Sequence, residues 1–278
     1  MMMPLQRKLT LSPAITENTF NHVIRRSLFR NNVTWAPAAF VQGDKVSFHS
    51  CDFISLQDTL TDWEGRHYFD KCYFEGAIDF IWGAGQSIYQ GNDHICRDRL
   101  HWTRGRVADM SKRVKWEKNL SEEEVQQLVS NCVINVTESL LADGNAYVTA
   151  QARESDKETN GFVFKYCKVT GSGPAFIGRA YGYYSRVVFY KSVFADIIAP
   201  QGWDAWNREG KEEMITYAEI GCTGPGADMS KCVKWEKNLS EEEVRQIVRV
   251  RLFINQEMWL QEQLHAPTIS SPHMLLEK

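Results

Sequence analysis

Short segments in which hydrophobic and polar residues alternate make up much of the chain. They are rich in Val, Ile, Phe and Tyr and are separated by Gly, Asn and Asp, which is typical of β-strands joined by turns. No long helical pattern lies between them, so the sequence predicts an all-β protein and argues against a doubly wound α/β fold. The segments are KVSFHSCDFISL (45–56), HYFDKCYFEGAIDFIWG (67–83), NCVINVTES (131–139), AYVTAQAR (146–153), GFVFKYCKVTG (161–171) and SRVVFYKSVFADIIAP (185–200).

The spacing of these segments favours one kind of all-β architecture. Many of them recur at intervals of roughly 20 residues, as expected for the stacked coils of a solenoid. A β-sandwich also contains many short strands, and the alternation alone does not separate the two architectures. From the pattern of hydrophobic residues we therefore predict a solenoid or a sandwich.

A long internal duplication departs from this pattern. Residues 108–129 and 227–248 differ at only three of 22 positions. In each copy a serine, Ser121 or Ser240, is followed three residues later by a glutamate, which is the capping-box signature of a helix start. A repeat present twice at such high identity is not a solenoid period and indicates a duplicated segment. The second copy predicts a short helical tail at the C-terminal end.

Composition and charge exclude several classes of function. The chain has 278 residues, of which 43% are hydrophobic and 24% charged, an ordinary globular composition. Its formal net charge of -3 gives no basic surface for nucleic acid. No apolar run of 18 or more residues occurs, so we expect no membrane-spanning segment. We therefore expect neither nucleic acid nor a membrane among its partners.

Composition alone does not decide the cellular compartment of the protein. The first 20 residues contain no apolar core of signal-peptide length, so no signal peptide is visible. Four Asn-x-Ser/Thr sequons, beginning at Asn32, Asn119, Asn135 and Asn238, are weak evidence for the secretory route. The seven cysteines include no Cys-x-x-Cys spacing, which argues against a zinc site, and their odd number leaves one thiol unpaired in any disulfide scheme.

Candidate chemistry concentrates in three stretches. Asp79 is the only charged residue of GAIDFIWG, Gln57 and Asp58 are adjacent in SLQDTL, and Arg179 lies in FIGRAYGYYSR. Asp58 and Asp79 are 21 residues apart, close to one coil of a solenoid, which would place them on neighbouring coils about 4.8 Å apart. Two carboxylates at that distance divide into a protonated acid and an ionised nucleophile when a cation holds one of them charged.

These stretches, in this order, resemble the pectinesterases (pectin methylesterases) of plant cell walls. The resemblance covers about two-thirds of the chain and implies a right-handed parallel β-helix. It also implies an esterase of the cell wall that acts on methyl-esterified homogalacturonan without metal or cofactor, with a proteinaceous pectinesterase inhibitor as a candidate partner. The matching stretches are 51–90, 131–139, 146–171, 173–206 and 221–243.

The same resemblance assigns roles to the four polar residues. Asp79 is expected to be the nucleophile, and Asp58 the acid that protonates the departing methanol and then the base that activates water. Arg179 is expected to hold Asp79 charged, and Gln57 to donate to the oxyanion. Ester hydrolysis requires these three kinds of group: a nucleophile, a proton donor and oxyanion donors.

Aromatic side chains near these stretches are candidates for binding the sugar polymer. Flat aromatic rings can stack on the apolar faces of sugar rings. For Trp82 a packing role is an equal alternative, and Tyr181 stands where the family commonly has Trp. The candidate substrate-binding residues are Phe80, Trp82, Tyr181, Trp203 and Trp206.

The chain departs from the family pattern in three ways. An upstream family glutamine, a second oxyanion donor, falls on Trp35 when the positions are counted back from Gly43 and Asp44. Residues 91–130 interrupt the pattern, and their removal restores the family's register. The first coils of the solenoid are expected to be partly missing. An impaired β-helix that at most binds pectin is therefore the alternative function. A pectate lyase is disfavoured because no acidic cluster for calcium is evident.

The expected organisation follows from these departures. Residues 1–90 and 131–225 are predicted to form the β-helix, and 91–130 an inserted segment that contains one copy of the duplication. Residues 226–264 are predicted to form a tail packed on the solenoid, and 265–278 to be disordered.

Overall fold

The computed structural model describes most of the chain as stacked coils. Successive coils contribute strands to three sheets of seven, seven and six strands, and every strand pairing among the described residues is parallel. This arrangement is a parallel β-helix, so the all-β solenoid predicted from the sequence is confirmed. The described residues are 37–91, 132–137, 145–255 and 259, together with the backbone of 8–9, 14–16 and 19–21.

The strands are numbered along the chain and fall into three sheets. Sheet A contains Lys8–Leu9 (β1), Ala39–Gln42 (β4), Leu60–Glu64 (β7), Ile81–Gly83 (β10), Ala146–Gln151 (β13), Ala175–Ala180 (β16) and Trp203–Asp204 (β19). Sheet B contains Ala14–Thr16 (β2), Val46–His49 (β5), Arg66–Asp70 (β8), Gln86–Gln90 (β11), Gly161–Lys165 (β14), Arg186–Tyr190 (β17) and Thr216–Ile220 (β20). Sheet C contains Thr19–Asn21 (β3), Asp52–Ile54 (β6), Tyr73–Gly76 (β9), Cys132–Val136 (β12), Cys167–Gly171 (β15) and Val193–Phe194 (β18).

An aromatic ladder runs through the interior along sheet B. Its rings stack nearly parallel on consecutive coils, with centroid distances of 5.0, 4.6, 4.5 and 4.4 Å. In-register parallel pairing produces this ladder because equivalent positions lie directly above one another. We call it the inner ladder; its members are Phe48, Phe69, Tyr89, Phe164 and Phe189.

A buried polar network anchors the inner ladder to sheet A. The Tyr89 hydroxyl donates to Asp62 Oδ2 at 2.5 Å, and His67 Nδ1 lies 2.5 Å from Asp62 Oδ1. His67 Nε2 lies 2.7 Å from the carbonyl oxygen of Gly43. These side chains are fully buried, so each polar group depends on its partner in place of water.

Four buried cysteines form a second internal file, at the start of sheet C strands or just before them. Cys51, Cys72, Cys132 and Cys167 follow one another on consecutive coils, and Cys132 pairs directly with Cys167 in the register. Among the residues the structure describes, none of these four forms a disulfide, and neither does Cys222 or Cys232. Here cysteine acts as a small hydrophobic core residue.

The β-helix continues without a missing strand across the predicted insertion. Strand β11 pairs with β8 and β14, and β12 pairs with β9 and β15. Gly91 follows β11 and donates its backbone N–H to Lys165 O at 2.8 Å. Residues 92–131 lie outside the described residues, so the predicted insertion stays a prediction.

Helices are confined to short pieces near the C-terminal end of the described chain. Three 3-10 turns cover Trp206–Arg208, Glu212–Met214 and Met229–Lys231, and two α-helices cover Glu241–Val248 (α1) and Val250–Phe253 (α2). The capping box predicted at Ser240 is present: its hydroxyl accepts from the Glu243 N–H and the Glu243 side chain accepts from the Ser240 N–H. Its counterpart at Ser121 and residues 265–278 lie outside the described residues.

The tail packs against sheet B. Phe253, Ile254 and Trp259 form a small hydrophobic cluster with Ile88 and Val163, which face outward from β11 and β14. The Gln86 side chain also donates a hydrogen bond to the Phe253 carbonyl. The tail therefore covers outward-facing apolar residues that the solenoid alone would leave exposed. None of the described helices has the length and apolar character needed to cross a membrane.

Removing one ring from the inner ladder should destabilise the fold strongly. Phe164 lies between Tyr89 and Phe189 and is fully buried. Phe164→Ala should lower the free energy of unfolding by about 3–5 kcal/mol, because it leaves a cavity between two stacked rings. Chemical denaturation measures this change. Val193→Ala, at an exposed position, is the control and should change stability by less than about 0.5 kcal/mol.

The buried His67 should make stability depend on pH. Burial lowers the pKa of His67, but the charge and hydrogen bond of Asp62 outweigh that effect and raise the pKa above its ordinary value. Its stabilisation is therefore complete below the ordinary histidine pKa of about 6.5 and is lost as the pH rises through the raised value. The difference in unfolding free energy between the wild type and His67→Gln should shrink with rising pH. A difference independent of pH would contradict this assignment.

Candidate active site

Asp58 and Asp79 occupy equivalent positions on neighbouring coils. The flanking residues fix this register, because Gln57 pairs with Ile78 and Leu60 pairs with Ile81. Both aspartates have left-handed backbone conformations, with φ of 55° and 47°. Aspartate is one of the few non-glycine residues that adopt this conformation readily. The same turn in two successive coils thus presents two carboxylates side by side.

The residues around Asp79 fix the turn that carries its side chain. Phe80 is 0% exposed and anchors the turn in the core. A Cβ on Gly76 would lie 2.2 Å from the Phe80 Cβ, so only glycine admits Phe80 at this point. The prediction that Phe80 binds substrate is therefore wrong in this structure: the ring packs inside the solenoid, whereas the Asp79 carboxylate beside it contacts Arg179.

Arg179 fixes Asp79 through two parallel hydrogen bonds. Its Nε donates to Asp79 Oδ1 at 2.8 Å and a terminal nitrogen donates to Oδ2 at 2.5 Å. Arg179 is two strands from β10 in sheet A, with Ala150 on the strand between them. The guanidinium lies 4.4 Å from the Tyr147 ring centroid and 4.5 Å from that of Trp206. This sandwich holds the planar cation in one orientation.

The electrostatics separate the two carboxylates. Burial and the negative charge of Asp79 raise the pKa of Asp58 to about 7, against a smaller opposing effect of Arg179. Burial raises the pKa of Asp79 above its ordinary value, and the two hydrogen bonds and the charge of Arg179 oppose that rise without cancelling it. The raised pKa of Asp58 favours its protonated form near neutral pH, whereas the Arg179 hydrogen bonds favour the ionised form of Asp79. This is the division of roles needed for an acid and a nucleophile.

Aromatic rings line the outer side of sheet A beside these residues. Adjacent centroids from Phe40 to Trp206 are 6.4, 5.1, 5.8 and 5.4 Å apart. Trp63 and Tyr181 are 36% and 37% exposed, so their faces are accessible to a ligand. We call this set the aromatic row; in order along the solenoid its members are Phe40, Trp63, Trp82, Tyr181 and Trp206.

The structure corrects one more predicted binding residue, and it adds one residue to the aromatic row and one that packs on Arg179. Trp203 is 1% exposed and packs against Tyr217 with a centroid distance of 4.5 Å, so it belongs to the core and cannot stack on a sugar. Trp63 and Tyr147 were not predicted from the sequence. Trp63 is the extra residue of a β-bulge between β4 and β7, which breaks the alternation that would have marked it as outward-facing.

Gln57 and Trp35 occupy the two positions at which oxyanion donors are expected. Gln57 is half-buried beside Asp58, in the turn that carries both residues. Trp35, which stands at the position of the expected second donor, lies outside the residues whose side chains are described. Among the described residues, Gln57 therefore supplies a side-chain amide next to the carboxylate pair.

A second group of titratable side chains lies where sheet B meets the tail. Donor atoms of Glu219, Cys232 and Glu236 lie within 4.8 Å of one another, a spacing compatible with a metal ion. Glu219 and Cys232 also line a cavity of about 190 Å³. These residues do not belong to the face of sheet A that carries Arg179, so they contribute no group to chemistry at Asp79.

A family model described as pectinesterase matches residues 14–102 and 124–257. The chain belongs to the pectinesterase family. The residues between the two matched stretches, 103–123, fall inside the stretch that the sequence marks as an insertion. Probable pectinesterase 29 of Arabidopsis thaliana is 39% identical over 246 residues, covering 88% of this chain and 61% of that protein. The chain therefore spans about three-fifths of the length of such curated pectinesterase relatives.

Solved pectin methylesterases share the fold of this pectinesterase-family chain. The enzyme from carrot superposes with a TM-score of 0.68 and 21% identity, covering 94% of this chain and 77% of the carrot chain. A pectin methylesterase solved in complex with a hexasaccharide has a TM-score of 0.58 and 17% identity, covering 89% and 72% of the respective chains. At these identities the likeness concerns the β-helix itself.

The charge coupling at the carboxylate pair gives two opposite predictions for the pKa of Asp58. Asp79→Asn removes the neighbouring negative charge and should lower this pKa from about 7. Arg179→Gln removes the neighbouring positive charge and should raise it. Carboxyl ¹³C chemical shifts followed against pH measure both. If the pKa of Asp58 moved in the same direction in both variants, the charge coupling of Asp58 to Asp79 and Arg179 would be contradicted.

Proposed function

We propose that this chain is a carboxylic ester hydrolase that demethylates homogalacturonan, converting pectin and water to pectate and methanol. The observation that carries the proposal is the Asp79–Arg179 pair, with Asp58 at the equivalent position of the next coil. Membership of the pectinesterase family supports the same reaction. The aromatic row beside the pair suits a polymer of sugar rings.

In the first half of the reaction, Asp79 attacks the carbonyl carbon of the methyl ester. Arg179 keeps this carboxylate ionised and directs it, while the Gln57 amide donates a hydrogen bond to the developing oxyanion. The tetrahedral intermediate collapses as its C–O bond to the methoxy group breaks. Asp58 gives its proton to the leaving oxygen, so that methanol departs and an acyl-enzyme anhydride remains.

In the second half, water releases the product. Asp58, now ionised, takes a proton from a water molecule as that water attacks the acyl carbon. The bond between the acyl carbon and Asp79 breaks, which regenerates the Asp79 carboxylate and leaves a free galacturonate. Asp58 is protonated again, so the site returns to its starting state. Neither half requires a metal or an organic cofactor.

The polymer is bound by the aromatic rings beside the catalytic groups. Trp82 pairs with Ala150, which pairs with Arg179 on the next strand, and Tyr181 follows Arg179 by two residues, so sugar rings stacked on Trp82 and Tyr181 lie close to the Arg179–Asp79 pair. Trp206 stacks on Tyr181 and also packs on the Arg179 guanidinium. It thereby couples the binding surface to the nucleophile.

The proposed setting is the plant cell wall, reached by secretion. Both follow from the family, as does a proteinaceous pectinesterase inhibitor as the candidate protein partner. Neither nucleic acid nor a membrane is proposed as a partner.

Methanol release from methyl-esterified pectin tests the proposal. Asp79→Asn should reduce kcat by roughly a thousandfold or more, because it removes the nucleophile and keeps its shape. Gln57→Ala should reduce kcat about a hundred- to a thousandfold through loss of an oxyanion donor. Asp196→Asn, at an exposed position, is the matched control and should retain full activity. Equal methanol release by the wild type and Asp79→Asn would refute the assignment.

The pH profile supplies an independent test. Asp58 must be protonated to release methanol, and its pKa is raised to about 7. The value of kcat/KM should therefore fall as the pH rises above about 7, with apparent pKa values that belong to the carboxylate pair. In Asp58→Asn this basic limb should disappear together with most of the activity.

The alternative function is an impaired β-helix that binds pectin without turnover. Trp35 in place of an amide donor and the 91–130 insertion favour it. Pectin binding by a folded wild-type protein that releases no methanol would support this alternative over the hydrolase.

A further inference from the structure

The strand that follows the inner ladder carries a carboxylate in place of a ring. Glu219 on β20 pairs with Phe189 on β17, so it occupies the position equivalent to the last ring of the ladder. Its Oε2 atom is buried and has no hydrogen-bond partner among the residues that the structure describes. A buried carboxylate oxygen without a donor is unfavourable, because nothing replaces the water it has lost. This oxygen therefore indicates a ligand from outside the chain.

The tail brings two more donor groups to Glu219. The Glu219 backbone N–H donates to Glu236 Oε1 at 2.7 Å, and the Cys232 thiol donates to Glu236 Oε2 at 2.9 Å. Donor atoms of the three side chains lie within 4.8 Å of one another. In a tetrahedral zinc site the ligand distances of about 2.0–2.3 Å place neighbouring donors about 3.5 Å apart. Small side-chain rotations are therefore enough to bring all three donors onto one ion.

The two carboxylates lack a cation. Within the described ranges, neither Glu219 nor Glu236 forms an ion pair with a lysine or an arginine. The internal duplication bears on this point, because the first copy has Arg113 where the second has Cys232, one of only three differences between them. One copy thus carries a positive charge at this position, and the other carries a thiol, which is a metal ligand. A metal ion bound at Cys232 supplies the charge that Arg113 carries itself.

We propose that Glu219, Cys232 and Glu236 bind one zinc ion, which fastens the tail to the end of the solenoid. The Cys232 S–H proton leaves to solvent as the sulfur–zinc bond forms, and each glutamate contributes one oxygen. Glu219 and Cys232 border the cavity of about 190 Å³, which has room for a water molecule as the fourth ligand. The ion and its three anionic ligands leave one negative charge, and Lys231 borders the same cavity.

The donor set favours zinc over the common hard cations. Ca²⁺ and Mg²⁺ take about six or more oxygen ligands, whereas one thiolate with two carboxylates suits the borderline-soft Zn²⁺. No Cys-x-x-Cys spacing marks this site in the sequence, because one ligand lies on β20 and the other two lie in the tail. The role of the ion is structural, and it does not depend on the hydrolysis proposed above.

Titration of the reduced full-length chain with Zn²⁺ against a competing chelator tests the proposal. The wild type should bind one ion per chain at this site. Cys232→Ser and Glu219→Gln should each weaken its affinity by at least about a hundredfold, more than the loss of an outer-shell partner costs. Cys222→Ser is the matched control, since it removes another half-buried thiol that is not among the three donors. Equal affinity in the wild type and Cys232→Ser would overturn the proposal.

Co²⁺ in place of Zn²⁺ reports on the thiolate directly, because a bond between cobalt and a thiolate gives a charge-transfer absorption band in the near ultraviolet. The wild type and Cys222→Ser should show this band, and Cys232→Ser should lack it. A band that survives in Cys232→Ser and disappears in Cys222→Ser would assign the metal to the other thiol and refute the site.

Cys232→Arg tests the charge argument, because it introduces the residue of the first copy. In EDTA this variant should unfold at a higher denaturant concentration than the wild type, since a guanidinium replaces the missing cation. Added zinc should raise the unfolding midpoint of the wild type, because an ion that binds only the folded state stabilises it, and should leave that of Cys232→Arg unchanged. Equal rises in both proteins, or no rise in the wild type, would overturn the proposal whether or not the chain releases methanol.

Discussion

Coils in this chain stack with their strands in parallel register, so each residue lies about 4.8 Å from its equivalent in the next coil. Inside the solenoid this constraint aligns Phe48, Phe69, Tyr89, Phe164 and Phe189 into the inner ladder. Outside, it places Asp58 beside Asp79. One geometric rule therefore produces both the stability of the fold and the proximity of two charges that would otherwise repel each other.

The surrounding residues must offset the backbone strain and the charge repulsion that come from placing these two aspartates side by side. Both aspartates have left-handed backbones, and conformations of this kind cost on the order of 1–3 kcal/mol each. The core anchor Phe80 and the absence of a side chain at Gly76 fix one of these turns. Arg179, clamped between two rings, supplies the opposite charge. The candidate site is thus stabilised mainly by the scaffold behind it and by a cation from two strands away.

Much of this arrangement could be predicted from the sequence, and the exceptions have physical causes. Alternating segments predicted the strands, the family resemblance implied their stacking as a β-helix, and the 21-residue separation predicted the neighbouring aspartates. Phe80 and Trp203 were predicted wrongly because a shift of one residue moves a strand side chain from the surface to the core. Trp63 was missed because a bulge hides its direction, and Tyr147 because its contact with Arg179 crosses between strands.

The file of cysteines within the solenoid bears on how the chain reaches its final state in an oxidising compartment. Once the coils are stacked, Cys51, Cys72, Cys132 and Cys167 are shielded from reagents, and burial raises the pKa of Cys72 and Cys132 well above the usual range. Before stacking they are ordinary reactive thiols. If the chain folds in such a compartment, assembly of the coils would therefore compete with oxidation of these four thiols.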